Sequence, residues 1–218
     1  CGSTCSDETI AVLKQKLKDM NVNIYQIDFS RNVFNIAQNI KAYKQTKNII
    51  DHNNYALIHS HSPIGGFLSR IAARNARKKG TKMIYTAHGF HFFKGAPLLN
   101  WLLFYPAEWL LAPVTDVLIT INREDYDRAK KCMKAKRIEY VPGVGVDTSR
   151  FDAGKVDSVA KRQELGFRAT DFLMLTVAEM TKNKNHITHL QALALLTDRE
   201  EFENMHYLIV GRGTEWPN

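Results

Sequence analysis

The chain has 218 residues, and its 30 Lys and Arg against 22 Asp and Glu leave a formal net charge of +8 at pH 7. That length holds one large domain or one and a fraction, and a composition of 44% hydrophobic and 24% charged residues is globular, excluding disordered and low-complexity classes. Three cysteines, Cys1, Cys5 and Cys132, are an odd set, which argues against a disulfide framework and for a reducing, cytoplasmic compartment.

No charged-then-apolar leader opens the chain, and it does not start with Met, so Cys1 reads as an interior position. Ile10, Leu13, Leu17 and Met20 recur at helical spacing, and 23–28 reads as a short strand. Ile36, Ile40, Tyr43 and Ile50 mark a second helix, followed by a strand over 55–59. A third helix over 67–79 closes at Gly80 with Arg and Lys in its last turns, where the helix dipole favours cations. A strand over 83–86 leads into the apolar, aromatic stretch 97–114, which Asn100, Pro106 and Glu108 interrupt. A membrane-spanning helix needs about 20 predominantly apolar residues, so this stretch reads as a buried or interfacial helix pair. A strand over 117–121 follows. Asn122 then reads as the N-cap of a helix running to about residue 134, with Glu124 and Asp125 in its first turn. Residues 138–141 are strand again.

This alternation predicts an α/β fold built on a parallel sheet covered on both faces. The texture changes at Pro142-Gly143-Val144-Gly145-Val146-Asp147, a Gly/Pro loop, and the stretch 149–160 is polar. A new unit follows: a helix near 160–165, a strand over 172–177, a helix over 187–196, a strand over 207–210 and then Gly211-Arg212-Gly213. The boundary falls within 142–158, giving a first domain 1–148 and a second, 149–218, too short to close its own sheet.

In open parallel α/β sheets, ligands bind beyond the carboxyl ends of the strands. Five clusters fall there: His59 through Gly66, Thr86 through His91, Ile121-Asn122, Pro142 through Gly145, and Glu179 through His186. Gly65-Gly66 either presents free N–H groups to an anion at a helix start or is a tight turn in which packing demands glycine. His59 and His61 share a strand face, and His88 and His91 lie in the next loop. No Asp or Glu accompanies them locally and the cysteines are remote, so hydrogen-bonding or acid/base roles are favoured over a metal site. His88, followed by Gly89 in an aromatic loop, is the candidate working side chain, with a core histidine satisfied by backbone as the alternative. Lys182 and Lys184, between a strand and a helix, can meet a diphosphate or simply solvate a helix start. The absence of a G-x-G-x-x-G or Walker loop argues against a dehydrogenase or P-loop NTPase. The basic charge attracts phosphates of any kind, but it is scattered and no reading motif is present, so nucleic acid is not an expected partner.

Tyr85 through Phe92, Leu57 through Gly66, and Asp116 with Ile119 through Tyr126 resemble the N-terminal domain of family-4 glycosyltransferases that build bacterial capsule and exopolysaccharide. Pro142 through Asp147 is similar to that family's interdomain connection, and Val177-Ala178-Glu179 with Asn183 through His186 to the first strand and loop of its C-terminal domain. The resemblance covers nearly the whole chain and implies the GT-B architecture, two Rossmann-like domains. The chain would carry the N-terminal, acceptor-side domain without its first strand, then the beginning of the C-terminal, nucleotide-sugar-side domain. The implied activity is transfer of a hexose from a nucleotide sugar with retention, needing no metal or other cofactor. The implied acceptor is a polyprenyl-diphosphate-linked sugar or glycan at the cytoplasmic membrane face.

Residue by residue, His88 matches the family's active-site histidine near the reacting sugar, and Lys184 the lysine that holds the donor diphosphate. Lys182, Glu179 and Gly211 stand beside Lys184 as donor-binding candidates. Gly65 and Gly66 match a loop facing the cleft, and His61, Gly89, Asn122 and Gly143 are the further acceptor or cleft-loop candidates. Many relatives carry arginine where Glu179 stands, paired with the lysine, which leaves Lys182 as the substitute cation. The family's opening strand would precede Cys1 and its E-x7-E region would follow Asn218, so the resemblance implies an interior piece with little transfer activity by itself. The stretch 98–111 and the charge of +8 suit peripheral contact with an anionic bilayer, packing inside the domain being the alternative. A non-catalytic Rossmann-like module binding phosphate groups or an anionic membrane is the other reading of the whole chain.

Overall fold

The computed structural model describes residues 7–30, 32–143 and 145–213; Cys1, Cys5 and Val144 lie outside the described residues. The chain divides after Gly145 into two compact units. The first contains α1 (Asp7–Asp19), α2 (Ile36–His52), β1 (Leu57–His61), α3 (Pro63–Ala72), α4 (Arg74–Lys78), β2 (Lys82–Ala87), α5 (Leu98–Leu111), β3 (Val117–Thr120), α6 (Arg123–Cys132) and β4 (Arg137–Tyr140). The four strands are parallel and lie in chain order, with His61 opposite Thr86, Ala87 opposite Thr120, and Thr120 opposite Tyr140. Parallel neighbours require crossovers, and the helices supply them, so all four carboxyl ends emerge at one edge.

Side chains alternate between the faces of a strand. Met83, Tyr85 and Ala87 of β2, Leu118 of β3 and Ile138 of β4 share one face and are buried. Against it α2, α3 and the Ala73 junction pack Ile50, Ala72 and Ala73, while α5 and α6 bring Trp101, Phe104, Tyr105 and Ala129. The opposite face carries exposed Leu57, His59 and His61 and half-buried Ile84, Val117 and Ile119. Among the described residues the buried core therefore lies on one face of the sheet, where coverage of both was expected.

Local chemistry accounts for the other differences. Residues 23–28, expected as a strand, form none. The Asp28 and Ser30 N–H groups go instead to Gln45 Oε1 (3.1 Å) and Asn39 Oδ1 (3.3 Å), side chains of α2. β1 ends at His61, two residues beyond the expected end, and α3 starts at once on Pro63, whose fixed φ suits a first helical position. The expected helix over 67–79 is split at Ala73 into α3 and α4. The stretch 97–114 is one helix, α5, continued by a 3₁₀ turn, rather than a helix pair. Pro106 and Leu102 both sit on its exposed side, where the carbonyl that Pro106 cannot bond stays open to water.

The second unit holds α7 (Ser158–Glu164), β5 (Phe172–Val177), α8 (His186–Ala194) and β6 (Met205–Val210), with β5 and β6 parallel and Phe172 opposite Met205. Asp157 caps α7 by accepting from the Val159 and Ala160 N–H groups. The parallel α/β class expected from the sequence is present in both units.

Candidate functional site

Because β1 and β2 run in register, His61 at the end of β1 lies beside Thr86, and His88 follows two residues later. The two imidazoles meet edge to edge, His61 Nδ1 to His88 Nε2 at 2.9 Å. His59, one pleat back on the same face, places its ring centroid 4.3 Å from that of His61 and bonds Thr86 Oγ1 through Nε2 at 2.9 Å. Partial burial first, then the neighbouring His59 and His88 imidazoles, hold His61 below the ordinary imidazole pKa. Ser62, between His61 and Pro63, adopts φ 64° and ψ 152°. That conformation costs a non-glycine residue roughly 1–3 kcal/mol and is characteristic of functional turns.

The loop carrying His88 is fastened from several sides. Gly89 has φ +136°, a conformation closed to side-chain-bearing residues, and lets the chain turn at the end of β2. Phe90 and Phe92 then plunge into the core and stack 4.7 Å apart. Asn122 caps α6 as expected, its Oδ1 accepting the Asp125 N–H at 2.8 Å. Asp125, 2% exposed, accepts from Asn122 Nδ2 (2.7 Å) and from the Phe90 N–H (2.8 Å), and Glu124 accepts the Lys94 N–H at 2.7 Å. The carboxylates at the start of α6 thus hold the loop after β2. A cavity of about 440 Å³ lies between them, lined by Gly89, His91, Phe93, Asn100, Asn122 and Glu124 among others. The Asn-x-x-Asp spacing signals a helix cap, but it does not reveal that Asp125 also reaches across to Phe90.

Gly65 and Gly66 lie within the first turns of α3, not in a loop ahead of it. Gly66 is buried against the Tyr85 ring, and Tyr85 itself is held by Arg70, 4.2 Å above its centroid, and by Glu108, which accepts from its hydroxyl at 3.2 Å. Arg70 pairs with Glu108 at 2.8 Å inside the core. Burial works to raise the Glu108 carboxyl while Arg70 opposes it, and burial with the Glu108 charge pushes the Tyr85 hydroxyl up. A helix whose one carboxylate points inward exposes its leucines. Leu98, Leu102 and Leu110 of α5 are 74%, 65% and 64% exposed. A groove of about 340 Å³ between α3 and α5 is lined by Phe34, Ile64, Phe67, Leu103 and Phe104. Gly143 follows β4, its N–H bonded to the Val141 carbonyl at 2.7 Å.

In the second unit, Lys182 and Lys184 occupy a 3₁₀ turn between β5 and α8, both exposed and with no ion pair among the described residues. Glu179 is exposed, and its carbonyl accepts from His186 Nε2 at 3.1 Å, tying the turn to the start of α8. Gly211 lies where β6 passes β5 so closely that a side chain would strike the Ala178 carbonyl. The candidates therefore fall into two sets. His61, His88, Gly89, Asn122 and Gly143 gather at the strand ends of the first unit, with Gly65 and Gly66 in the adjoining helix, while Glu179, Lys182, Lys184 and Gly211 stand at those of the second. A cavity of about 530 Å³ lies at the opposite, amino-terminal side of β1 and β2, beside Tyr55, Thr81 and Lys82, away from these groups. Among the described residues, no group of three His, Cys, Asp or Glu is placed to hold a metal, and no helix is long and apolar enough to cross a membrane.

Residues 5–122, more than half of the chain, match the family described as glycosyl transferase 4-like. Over 191 residues the chain is 44% identical to a Bacillus subtilis (strain 168) protein named as a glycosyltransferase, EpsD, covering 87% of this chain and 49% of that protein. Over 186 residues it is 26% identical to the UDP-Gal:alpha-D-GlcNAc-diphosphoundecaprenol alpha-1,3-galactosyltransferase of Escherichia coli, covering 82% and 47%. The chain spans about half the length of the curated relatives it matches. Among solved structures, UDP-N-acetylglucosamine 2-epimerase from Rickettsia bellii superposes with a TM-score of 0.48 at 15% identity, covering 95% of this chain and 60% of that one.

Proposed function

The chain belongs to the glycosyl transferase 4-like family, and from that premise we propose that the whole protein moves a hexose from a nucleotide sugar to a hydroxyl of a lipid-linked or polysaccharide acceptor. Transfer proceeds with retention, in the synthesis of a cell-surface glycan such as capsule or exopolysaccharide. The observation that carries this reading is the paired His61 and His88 at the carboxyl ends of β1 and β2, the edge at which open parallel sheets take ligands.

The chemistry suits the residue types. The bond from the sugar's C1 to the diphosphate breaks, a bond from C1 to the acceptor oxygen forms, and the acceptor's proton leaves with the diphosphate or to solvent. Negative charge builds on the leaving diphosphate, where a fixed cation stabilises the transition state. Lys184, with Lys182 beside it, takes that task without a metal cofactor, with Glu179 just ahead of the turn and Gly211, after β6, against the Ala178 carbonyl. His88 serves the reacting sugar, and Gly65, Gly66, Gly89, Asn122 and Gly143 belong to the acceptor side. The name of the Escherichia coli relative, which pairs a UDP-Gal donor with an undecaprenol diphosphate acceptor, supports the lipid-linked class. The exposed leucines of α5 and the net charge of +8 support peripheral contact with the anionic inner face of the cell membrane.

The test supplies the whole protein with a panel of nucleotide sugars and undecaprenyl-diphosphate-linked N-acetylglucosamine, then reads products by mass spectrometry and anomeric NMR signals. One glycosylated lipid with the donor's anomeric configuration is expected. No product from any donor, or an inverted product, overturns the reading.

A further inference from the structure

We propose that His61 is the positioning residue of the candidate site: its Nδ1 accepts the Nε2–H of His88, so that His88 is fixed in one tautomer and offers its remaining Nδ1 edge to the ligand. This rests on the reading of His88 as the site histidine. Two imidazole nitrogens at 2.9 Å must share one hydrogen, so neither ring chooses its tautomer alone, and a histidine's free edge is set by the bond its other nitrogen makes.

His61 can take the acceptor role because its surroundings favour the neutral imidazole, which keeps one ring nitrogen unprotonated. Desolvation disfavours its charged form, its ring lies tilted against that of His59 at a 4.3 Å centroid separation, and no carboxylate is paired with it among the described residues. His59 is itself held by Thr86 Oγ1 at 2.9 Å. Thr86, His59, His61 and His88 thus form a chain of contacts that runs along the uncovered face of the sheet to the reacting edge. Two residues after His88, the Phe90 N–H is bonded to Asp125 Oδ2 at 2.8 Å, which fastens the loop backbone. A ring held by His61 on a fastened loop meets the geometric demand of a preorganised site.

The protein labelled with ¹⁵N-histidine is examined by imidazole NMR at neutral pH, alongside His61→Asn and His61→Phe. Asn can accept a hydrogen bond near the place of Nδ1, whereas Phe keeps the ring and loses the acceptor. Expected are a scalar coupling between the His61 and His88 ring nitrogens, an Nε2–H signal of His88 shielded from solvent exchange, retention of that signal in His61→Asn and its loss in His61→Phe. Unchanged backbone amide spectra separate this from misfolding. Absence of the coupling in the unaltered protein, or a His88 signal that survives in His61→Phe, overturns the proposal. These signals do not depend on turnover. An intact pair in a protein that transfers no sugar sinks the functional reading alone, and an absent pair in an active enzyme sinks this one alone.

Discussion

A methyl group added at Gly66 would lie 2.7 Å from Tyr85 Cδ2 and 3.1 Å from Cζ. Tyr85 has no room to retreat, being 1% exposed with its ring under Arg70 and its hydroxyl on Glu108. Gly66→Ala is therefore expected to destabilise the fold by about 1–3 kcal/mol, the usual cost of overpacking a core. Gly65→Ala, which meets only Ser62 Oγ at 3.0 Å, costs less. Urea unfolding of both variants measures the difference, and a Gly66→Ala protein as stable as its parent would rule out the close contact. Here the packing explanation for the glycine pair holds at Gly66, and composition alone could not have separated it from anion binding. The same is true of the histidines. His61 and His88 are legible as candidates from their place in the chain, but their bond depends on β1 running on to His61, two residues past where periodicity ends it.

At the scale of elements, the start of α6 is the fastening of the site. Its N-cap was readable, because Asn followed by two acidic residues and a helical pattern is a local signal. The reach of Asp125 to Phe90 was not, since it spans 35 residues and exists only once β2 and β3 lie side by side. Asp125→Ala leaves the Phe90 N–H buried without a partner and removes the acceptor of Asn122 Nδ2, while the Asn122 cap on the backbone N–H of residue 125 stays, at a cost of about 1–3 kcal/mol. Chemical denaturation reads the loss, and hydrogen exchange should quicken most in the amides of 88–94. A loss of stability with exchange unchanged in that loop would show that Asp125 serves only its own helix. Long-range partners also explain the element that failed to form. Residues 23–28 carry a strand-like pattern, yet a strand exists only with a neighbour, and α2 side chains take the N–H groups of Asp28 and, just beyond, Ser30 instead.

At the scale of the molecule, alternation of strand and helix made the parallel α/β class legible, and ordered motifs made the family legible. The family model covers residues 5–122, the part richest in those motifs. Which face of the sheet is covered was not legible, because strands buried on one face or two share short apolar runs. The proposed site residues fall in both units, His88 after β2 and Lys184 after β5. The most direct trial is the rate of sugar transfer by the whole protein carrying His88→Ala or Lys184→Ala. If each residue serves the proposed transfer, its loss slows turnover by about 10²–10³, the usual cost of removing a group that stabilises developing charge, while the fold stays intact. If either variant transfers sugar at the parent rate, that residue has no part in the reaction and the site lies elsewhere.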